Sequence, residues 1–566
     1  MNKVNEFWKL MDLLRGQNHY KVFDIFTTYY CAKIVDIKTG KNFFRSHYKS
    51  DEGINSINSF LISEGFDNLT YDSTIKHGDI SSIEKAIYEY FKNYDEVKGD
   101  EIPYIYSSIC EFRGPIDFQS DIIPEISSLL YLPKRGNIGV FNSAGLLLIR
   151  EGLKNIKFEG TLHFYSIIES DLKYAFALLA PLVNNIELYW GDFTKNVPIA
   201  AYDFIYSLPP WGAKIDGKDS YYIYEEVLRN NLNENGIFFL VLPKSVLISD
   251  RFANLRANFK NQYSIGAIIE IPRAFKNTVV ESVIFILKKS KVKKDDIFIS
   301  KINDKVDMKE DLRKVSDSFR DYLKGNNTFS YSPIINIIPT NELLENWNLE
   351  QFSKSFREMR NKLMHGQYKL VKLDELCDIL VGSLINSNYY SAKGTPYIRI
   401  QDIDNNTVNL SKMKRIEDSE IIKKGVKCKE GDILFSVQGT IGKIVIVPKD
   451  ASNSLISRHL IIIRPKQDID PYFIMATLNS DFFITQIKNQ TTGSFIKYLS
   501  PSKIKDLLIP LPPKEKIKNI MKEIRNLNYK SEEINHKISE LEKEKKEIED
   551  KLRYFLEEGV NDSSKR

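Results

Sequence analysis

Between Asn137 and Lys289 the chain alternates short apolar runs with amphipathic stretches of helical length. A parallel sheet with helices on both faces produces that pattern, because strands covered on both sides become continuous apolar runs. Ile138–Phe141 reads as the first strand, Thr161–Ile168 as the second, Ile186–Trp190 as the third and Asp203–Tyr206 as the fourth. Gly236–Pro243 is a fifth, and Ile265–Ile271 with Val279–Leu287 completes the set. A doubly wound sheet holds its ligand at the carboxyl ends of the strands, where the turn after the first strand must let backbone approach it. That turn is Asn142-Ser143-Ala144-Gly145, which makes Asn142 and Gly145 candidate ligand contacts.

The remainder of the 566 residues is too long for one domain at roughly 100–200 residues each. Residues 1–130 begin with helical periodicity (Phe7, Trp8, Leu10, Met11 and Leu14, then Val22, Phe23, Ile25, Phe26, Tyr29 and Tyr30) and read as a helical domain whose first two helices join at Gly16. They hold no convincing nuclease site, since Asp36-Ile37-Lys38 and Glu96-Val97-Lys98 lack an upstream partner. Residues 131–290 form the sheet domain, and 291–365, which begin within the lysine-rich run Lys288–Lys294, read as a bridge. Residues 366–512 change character: Tyr397–Ile403, Gly431–Ser436, Gly439–Val447 and Ser457–Arg464 are Ile- and Val-rich strands between Gly and Asn turns. From 513 to 566 the chain is one helix. Ile517, Ile520, Ile524, Leu527, Ile534, Ile538, Leu541, Ile548, Leu552 and Phe555 step by three and four, interrupted at Ser531 and Lys545, as a coiled-coil seam does. At about 1.5 Å per residue that seam is roughly 60 Å long, more than the domain before it buries, so it needs a partner helix.

Composition excludes several classes. With 42% hydrophobic and 27% charged residues the chain is an ordinary globular protein. No apolar run reaches the ~18 residues of a membrane span, and a cytoplasmic location is expected. Cys31, Cys110, Cys377 and Cys428 are far apart and the seven histidines form no cluster, so free thiols and no metal site are expected. A net charge of +5 permits a nucleic-acid partner.

Four stretches carry a resemblance. Asp203–Gly212, ending Pro209-Pro210-Trp211-Gly212, resembles the base-binding motif of amino-methylating DNA methyltransferases. Phe7–Gly16 resembles the opening of type I restriction-modification methylation subunits, and Ile271–Lys288 resembles the closing hairpin of the same fold. Residues from Tyr368 to Pro510 resemble the target-recognition domain of type I specificity subunits, with Leu373–Ile379 and Pro510–Pro513 in the family's order. The resemblance implies a multidomain α/β protein: an N-terminal helical domain, a Rossmann-like class I methyltransferase sheet, an α/β target-recognition domain and a long C-terminal coiled-coil helix.

It also implies roles. In the family an Asn, Asp or Ser before the two prolines accepts a hydrogen bond from the target amine, and the first proline's carbonyl accepts another. Here Leu208 occupies that position and accepts nothing, while Pro209, Pro210 and Trp211 remain, Trp211 as the face on which an extruded adenine would stack. Losing one buried acceptor costs about 1–3 kcal/mol, and each ~1.4 kcal/mol at the transition state is tenfold in rate. Ser207 could replace the acceptor only if the turn shifted by one residue. The first turn in the family has an acidic residue and two or three glycines, of which Gly145 is kept. Glu169 and Asp192 stand where the family binds the ribose hydroxyls and the adenine amine of S-adenosylmethionine (SAM), with Asn142 and Gly145 as the other cofactor candidates. In the recognition domain, Arg399, Gln401, Gln438, Lys443, Arg458 and Lys497, with the loop Thr491–Lys497, are candidate DNA contacts, because Arg and Gln read base edges while Lys and hydroxyls bind phosphate.

The expected function is that of a sequence-specific DNA-binding component of an adenine-N6 methylation and restriction-modification complex, with a degenerate pocket and an active partner. One alternative is an active SAM-dependent methyltransferase with an atypical motif; another is a non-catalytic subunit that targets a restriction nuclease. Specificity subunits of the family carry two recognition domains spaced by two helices, and this chain has one of each. The implied partners are double-stranded DNA, a second copy or related chain joined through the C-terminal helix, and a restriction subunit.

Overall fold

A computed structural model of the chain describes residues 19–71, 81–92, 117–196, 200–276, 278–302, 307–325, 335–343, 347–353, 368–404, 406–410, 413–466, 468–490 and 499–563, with 103, 357, 358 and 361 between them. Phe7–Gly16, Glu96–Lys98 and Cys110 lie outside the described residues. The chain divides into two compact units, Met1–Ser353 and Lys354–Arg566.

In the first unit, helices α1 (His19–Thr39), α2 (Ile54–Ser63) and α3 (Ser81–Lys92) precede a nine-stranded sheet. Ile25, Phe26, Tyr29 and Tyr30 of α1 are fully buried, with Phe26 packed 5.0 Å from Phe91 of α3. The strands are β1 (Arg135–Phe141), β2 (Glu159–Ser166), β3 (Asn185–Trp190), β4 (Tyr202–Ser207), β5 (Leu232–Pro243), β6 (Ser264–Ile271), β7 (Ser282–Lys288), β8 (Asp296–Lys301) and β9 (Ile335–Pro339). Their order is β9-β8-β6-β7-β5-β4-β1-β2-β3. From β3 to β5 all neighbours are parallel, whereas β7 runs antiparallel to both β5 and β6, so the sheet is mixed rather than parallel throughout.

Side chains alternate between the two faces, as a period of two requires. Ile138, Val140, Phe204, Tyr206 and Phe239 enter one core, and Phe141, Ile205, Phe238 and Leu240 enter the other. Each fully buried Leu, Ile or Phe of this kind contributes about 1.5–3 kcal/mol. Helices α4 (Leu146–Lys154) and α5 (Glu169–Leu179) follow β1 and β2; α6 (Ser220–Asn230) and α7 (Ala253–Gln262) follow later.

Two expectations need correction. The N-terminal helices are not a separate body, because their residues and the sheet's share one continuous apolar core. Cys31 Sγ donates to Lys173 O at 3.5 Å and the Lys173 ammonium pairs with Asp24 at 2.6 Å, tying α1 to α5. The stretch read as a bridge supplies β8, parallel to β6, and β9, antiparallel to β8. Between them α8 (Met308–Leu323) starts at Asp307, whose carboxylate accepts from the backbone of Lys309 and Glu310. The lysine-rich run is simply the turn from β7 to β8.

The second unit contains β10 (Lys369–Lys372), β11 (Cys377–Val381), β12 (Tyr390–Ser391), β13 (Thr395–Ile398), β14 (Lys414–Ile416), β15 (Ile433–Ser436), β16 (Ile444–Ile446), β17 (Leu455–Ile456), β18 (Leu460–Pro465) and β19 (Leu508–Leu511). An antiparallel sheet of order β11-β18-β15-β16 lies beside a smaller one of order β12-β14-β13-β17. The first and last strands, β10 and β19, pair with each other and so close the domain. Helices α9 (Pro471–Leu478) and α10 (Asp481–Gln490) lead towards β19, and α11 runs from Lys514 to Ser563. Met521 at the base of α11 is buried in the domain core, but Leu527, Ile534, Ile538, Leu541, Ile548 and Leu552 are 45–65% exposed. Among the described residues no helix is long and apolar enough to cross a membrane.

Candidate functional site

The turn after β1 and the turn after β4 are joined directly. Asn142 sits at φ 80°, its backbone N–H donates to Tyr165 O at 2.8 Å, and its Nδ2 donates to the Leu208 carbonyl at 2.5 Å. Gly145 precedes α4 at φ 84°, and a Cβ there would lie 1.9 Å from the Tyr206 hydroxyl. Gly145 is therefore required twice over, by its backbone conformation and by the tyrosine pressed against it.

Beneath this pair of turns is a set of buried polar atoms that find no hydrogen-bond partner among the described residues: Tyr206 Oη, Ser207 Oγ, Trp211 Nε1 and Asp117 Oδ2. Burial, followed by the nearby Asp117, pushes the Tyr206 hydroxyl well above its ordinary pKa. Burial pushes the Asp117 carboxyl up to about 7, against the opposing effects of the Phe118 N–H and Lys276. Sequence reasoning missed both Asp117 and Tyr206. No local pattern marks them, since Asp117 reaches the site through tertiary pairing of residues 117–119 with 274–276.

The motif around Leu208 splits between core and surface. Leu208 is 2% exposed and packs in the core with Tyr206, and Pro209 is buried, whereas Pro210 is exposed and its carbonyl accepts from Ser220 Oγ at 2.8 Å. Trp211 is half-buried with its ring edge-on to Phe275, centroids 5.2 Å apart. Ser207 is fully buried.

Glu169 is not at a strand end, as the sequence suggests. β2 stops at Ser166, and Glu169 is the first residue of α5, exposed, where an acid suits the positive end of the helix. Asp192 does follow β3, but its Oδ1 accepts from Thr194 N at 3.0 Å and Thr194 Oγ1 at 2.5 Å, so it holds its own turn. Between these acids lie exposed Ile167, Ile168 and Trp190, the indole N–H donating to Ile167 O at 3.2 Å.

In the second unit the candidates separate by what holds them. Arg399 donates through Nε and Nη2 to the buried Asp402 at 2.9 and 2.8 Å and lies over the Tyr390 ring, while Gln401 beside it is exposed. Lys443 Nζ donates to Ile403 O at 2.8 Å. Gln438 and Arg458 are brought together on adjoining loops: Val437 N donates to His459 O at 3.0 Å, and Arg458 N donates to Ser383 O at 3.0 Å. Arg458 is exposed, and its Nε donates to His459 Nε2 at 3.3 Å. Burial and Arg458 both lower the His459 pKa, which keeps the imidazole neutral and able to accept. His459 was not among the sequence candidates. Lys497 and the loop Thr491–Lys497 lie outside the described residues.

Family models match two segments. Residues 202–360 match N-6 DNA Methylase, and residues 366–543 match the type I restriction modification DNA specificity domain. Among curated proteins the chain is 29% identical over 186 residues to the type I restriction enzyme MjaX specificity subunit of Methanocaldococcus jannaschii, covering 31% of this chain and 43% of that one. It is 29% identical over 136 residues to the type I restriction enzyme EcoBI specificity subunit of Escherichia coli, covering 24% and 28%. The chain thus spans less than half the length of each of these relatives. Among solved structures it is similar to the type IIG restriction endonuclease BpuSI, at 12% identity and TM-score 0.49 over 93% of this chain and 75% of that one. It is also similar to a type I restriction-modification methyltransferase subunit from Streptococcus thermophilus, at 13% identity and TM-score 0.47 over 62% and 99%. The chain carries an N-6 DNA methylase segment followed by a type I restriction modification DNA specificity domain.

Proposed function

We propose that this chain is the DNA-targeting component of an adenine-N6 methylation and restriction complex, in which its own methylase fold is catalytically silent and a partner supplies the transfer. The observation that carries this reading is Leu208 itself, 2% exposed and packed in the core at the position where an acceptor for the target amine would stand. Methyl transfer to adenine needs acceptors that turn the amine's lone pair towards the cofactor's methyl group. Here the Leu208 side chain accepts nothing and is packed in the core, and its carbonyl fastens this turn to the one after β1.

The residues present do not fit SAM. An ionised acceptor for the ribose hydroxyls would be needed at the end of β2, where Ser166 ends the strand and Glu169 lies on the helix beyond it. Asp192 gives its Oδ1 to Thr194, and the Tyr206 hydroxyl leaves no room for a Cβ at Gly145. Each of these supports a fold retained as scaffold.

The specificity domain supplies DNA recognition in this reading, and the exposed apolar seam of α11 supplies assembly. One recognition domain with one long helix pairs with a second copy or a related chain, giving a split DNA site with a fixed gap, and a restriction subunit joins the assembly. Calorimetric titration of SAM into the full-length chain tests the silent pocket: no saturable heat is expected, and saturable micromolar binding would overturn it. Selection of duplex DNA from a random pool tests targeting, which fails if no consensus emerges.

A further inference from the structure

We propose that Arg458, held by His459, is a base-reading residue of the specificity domain, with guanine as its target. The inference rests on the reading that this domain binds DNA, and deepens it by naming one contact. A guanidinium recognises guanine when two of its N–H groups meet O6 and N7 together, which its two terminal nitrogens can do when both are available and the plane is fixed.

The described arginines of the two sheets differ in this respect. Arg399 is engaged through Nε and Nη2 by Asp402, and Arg464 through Nε and Nη2 by Asp432 at 2.8 and 2.7 Å. Arg415 donates through Nη1 to Gly394 O at 2.9 Å. Arg458 is exposed, and its one hydrogen bond to a described side chain uses Nε, with His459 Nε2 as the acceptor. Both Nη groups are thereby left for a ligand, while the imidazole fixes the plane that carries them.

Backbone hydrogen bonds hold this pair in place. Arg458 N donates to Ser383 O and Gly382 N donates to Leu460 O at 3.1 Å, fastening the loop on one side, and Val437 N donates to His459 O on the other. Next to Val437 the turn Gly439–Gly442 has both glycines at positive φ, and no atom of the described residues comes within 4 Å of a Cβ built on either. Exposed Leu384 lies on the adjoining loop. His459 acts as a positioning residue: it touches Arg458, and Arg458 touches the base.

The test is selection of duplex DNA from a random pool by the full-length protein, followed by sequencing, for the wild type and four variants. The wild type is expected to select a consensus containing a guanine. Arg458→Ala should reduce the preference for guanine at one position about ten- to hundredfold with the other positions unchanged. Arg458→Lys should lose the same preference despite keeping the charge, because an ammonium is not a fork. His459→Ala should weaken the preference severalfold at that position, and His459→Gln should retain it, since the amide oxygen accepts the same Nε–H. An unchanged consensus in Arg458→Ala, a uniform loss of binding across all sequences, or full retention in Arg458→Lys overturns the assignment while leaving DNA recognition standing. A wild-type protein that selects no consensus overturns DNA recognition itself, and this assignment with it.

Discussion

The side-chain amide of Asn142 donates to the carbonyl of Leu208, so the turn that would cradle a cofactor and the turn that would hold a target base are fastened to each other. The bond is short and partly buried, and it is made by a residue at φ 80°, a conformation that Asn tolerates better than most side chains. Asn142→Ala should therefore cost about 0.5–1.5 kcal/mol for the lost bond, read as a lower denaturant midpoint. It should not create SAM binding, because the other unsuitable groups remain.

Gly145 and Tyr206 should behave as a coupled pair. Gly145→Ala puts a methyl 1.9 Å from the tyrosine hydroxyl and strains the backbone, a destabilisation of about 1–3 kcal/mol. Tyr206→Phe alone should be neutral or stabilising, since it removes a buried hydroxyl that has no partner among the described residues. In the double variant part of the Gly145→Ala cost should disappear, and a thermodynamic cycle measures how much. Strict additivity would show that the hydroxyl does not press on the turn.

Asp117 makes the stability depend on pH in a definite direction. Its folded pKa is raised from 3.8 to about 7 by burial, so the folded protein holds the proton more tightly than the unfolded chain does. Below 3.8 both states are protonated and the group costs nothing; from there to about 7 stability falls as pH rises, and above that the penalty is complete. Asp117→Asn should match the wild type in stability near pH 4 and exceed it at pH 8 by up to a few kcal/mol, since each pH unit between the unfolded and folded pKa is worth roughly 1.4 kcal/mol. Parallel pH–stability curves for the two proteins would contradict the assignment.

The exposed seam of α11 makes a prediction about assembly. Leu527, Ile534, Ile538, Leu541, Ile548 and Leu552 follow one another by steps of seven, four and three, so a partner helix covers them all along one stripe. Replacing Ile534, Leu541 and Ile548 together by Lys should abolish self-association or association with the related chain in sedimentation. Helical content measured by circular dichroism should fall only where the helix depended on its partner. An unchanged assembly would place the contact elsewhere.

Much of this architecture is legible in residue order. The apolar runs of β1 to β7 and the three-four stepping of α11 are local patterns, and local patterns survive without tertiary knowledge. β8 and β9 were hidden because short strands such as Asp296–Lys301 and Ile335–Pro339 acquire their identity from partners distant in sequence, and a charged run before β8 looks like a linker. Glu169 was misplaced because Ile167 and Ile168 read as the end of the strand, whereas they form the bend between β2 and α5. Arg399 looked like a base reader until its fork was found closed on Asp402, and His459 gave no signal because its role is to hold the residue beside it. At Leu208 the sequence already told most of the story, since no fold can make an aliphatic side chain accept a hydrogen bond.

The most direct test of the central claim is to express the full-length chain alone in a host free of DNA methylation and sequence that DNA by a method that detects N6-methyladenine. The account predicts unmodified DNA while the protein is intact and soluble. A consistent split motif carrying N6-methyladenine would contradict it, because the fastened turns and Leu208 would then support transfer after all.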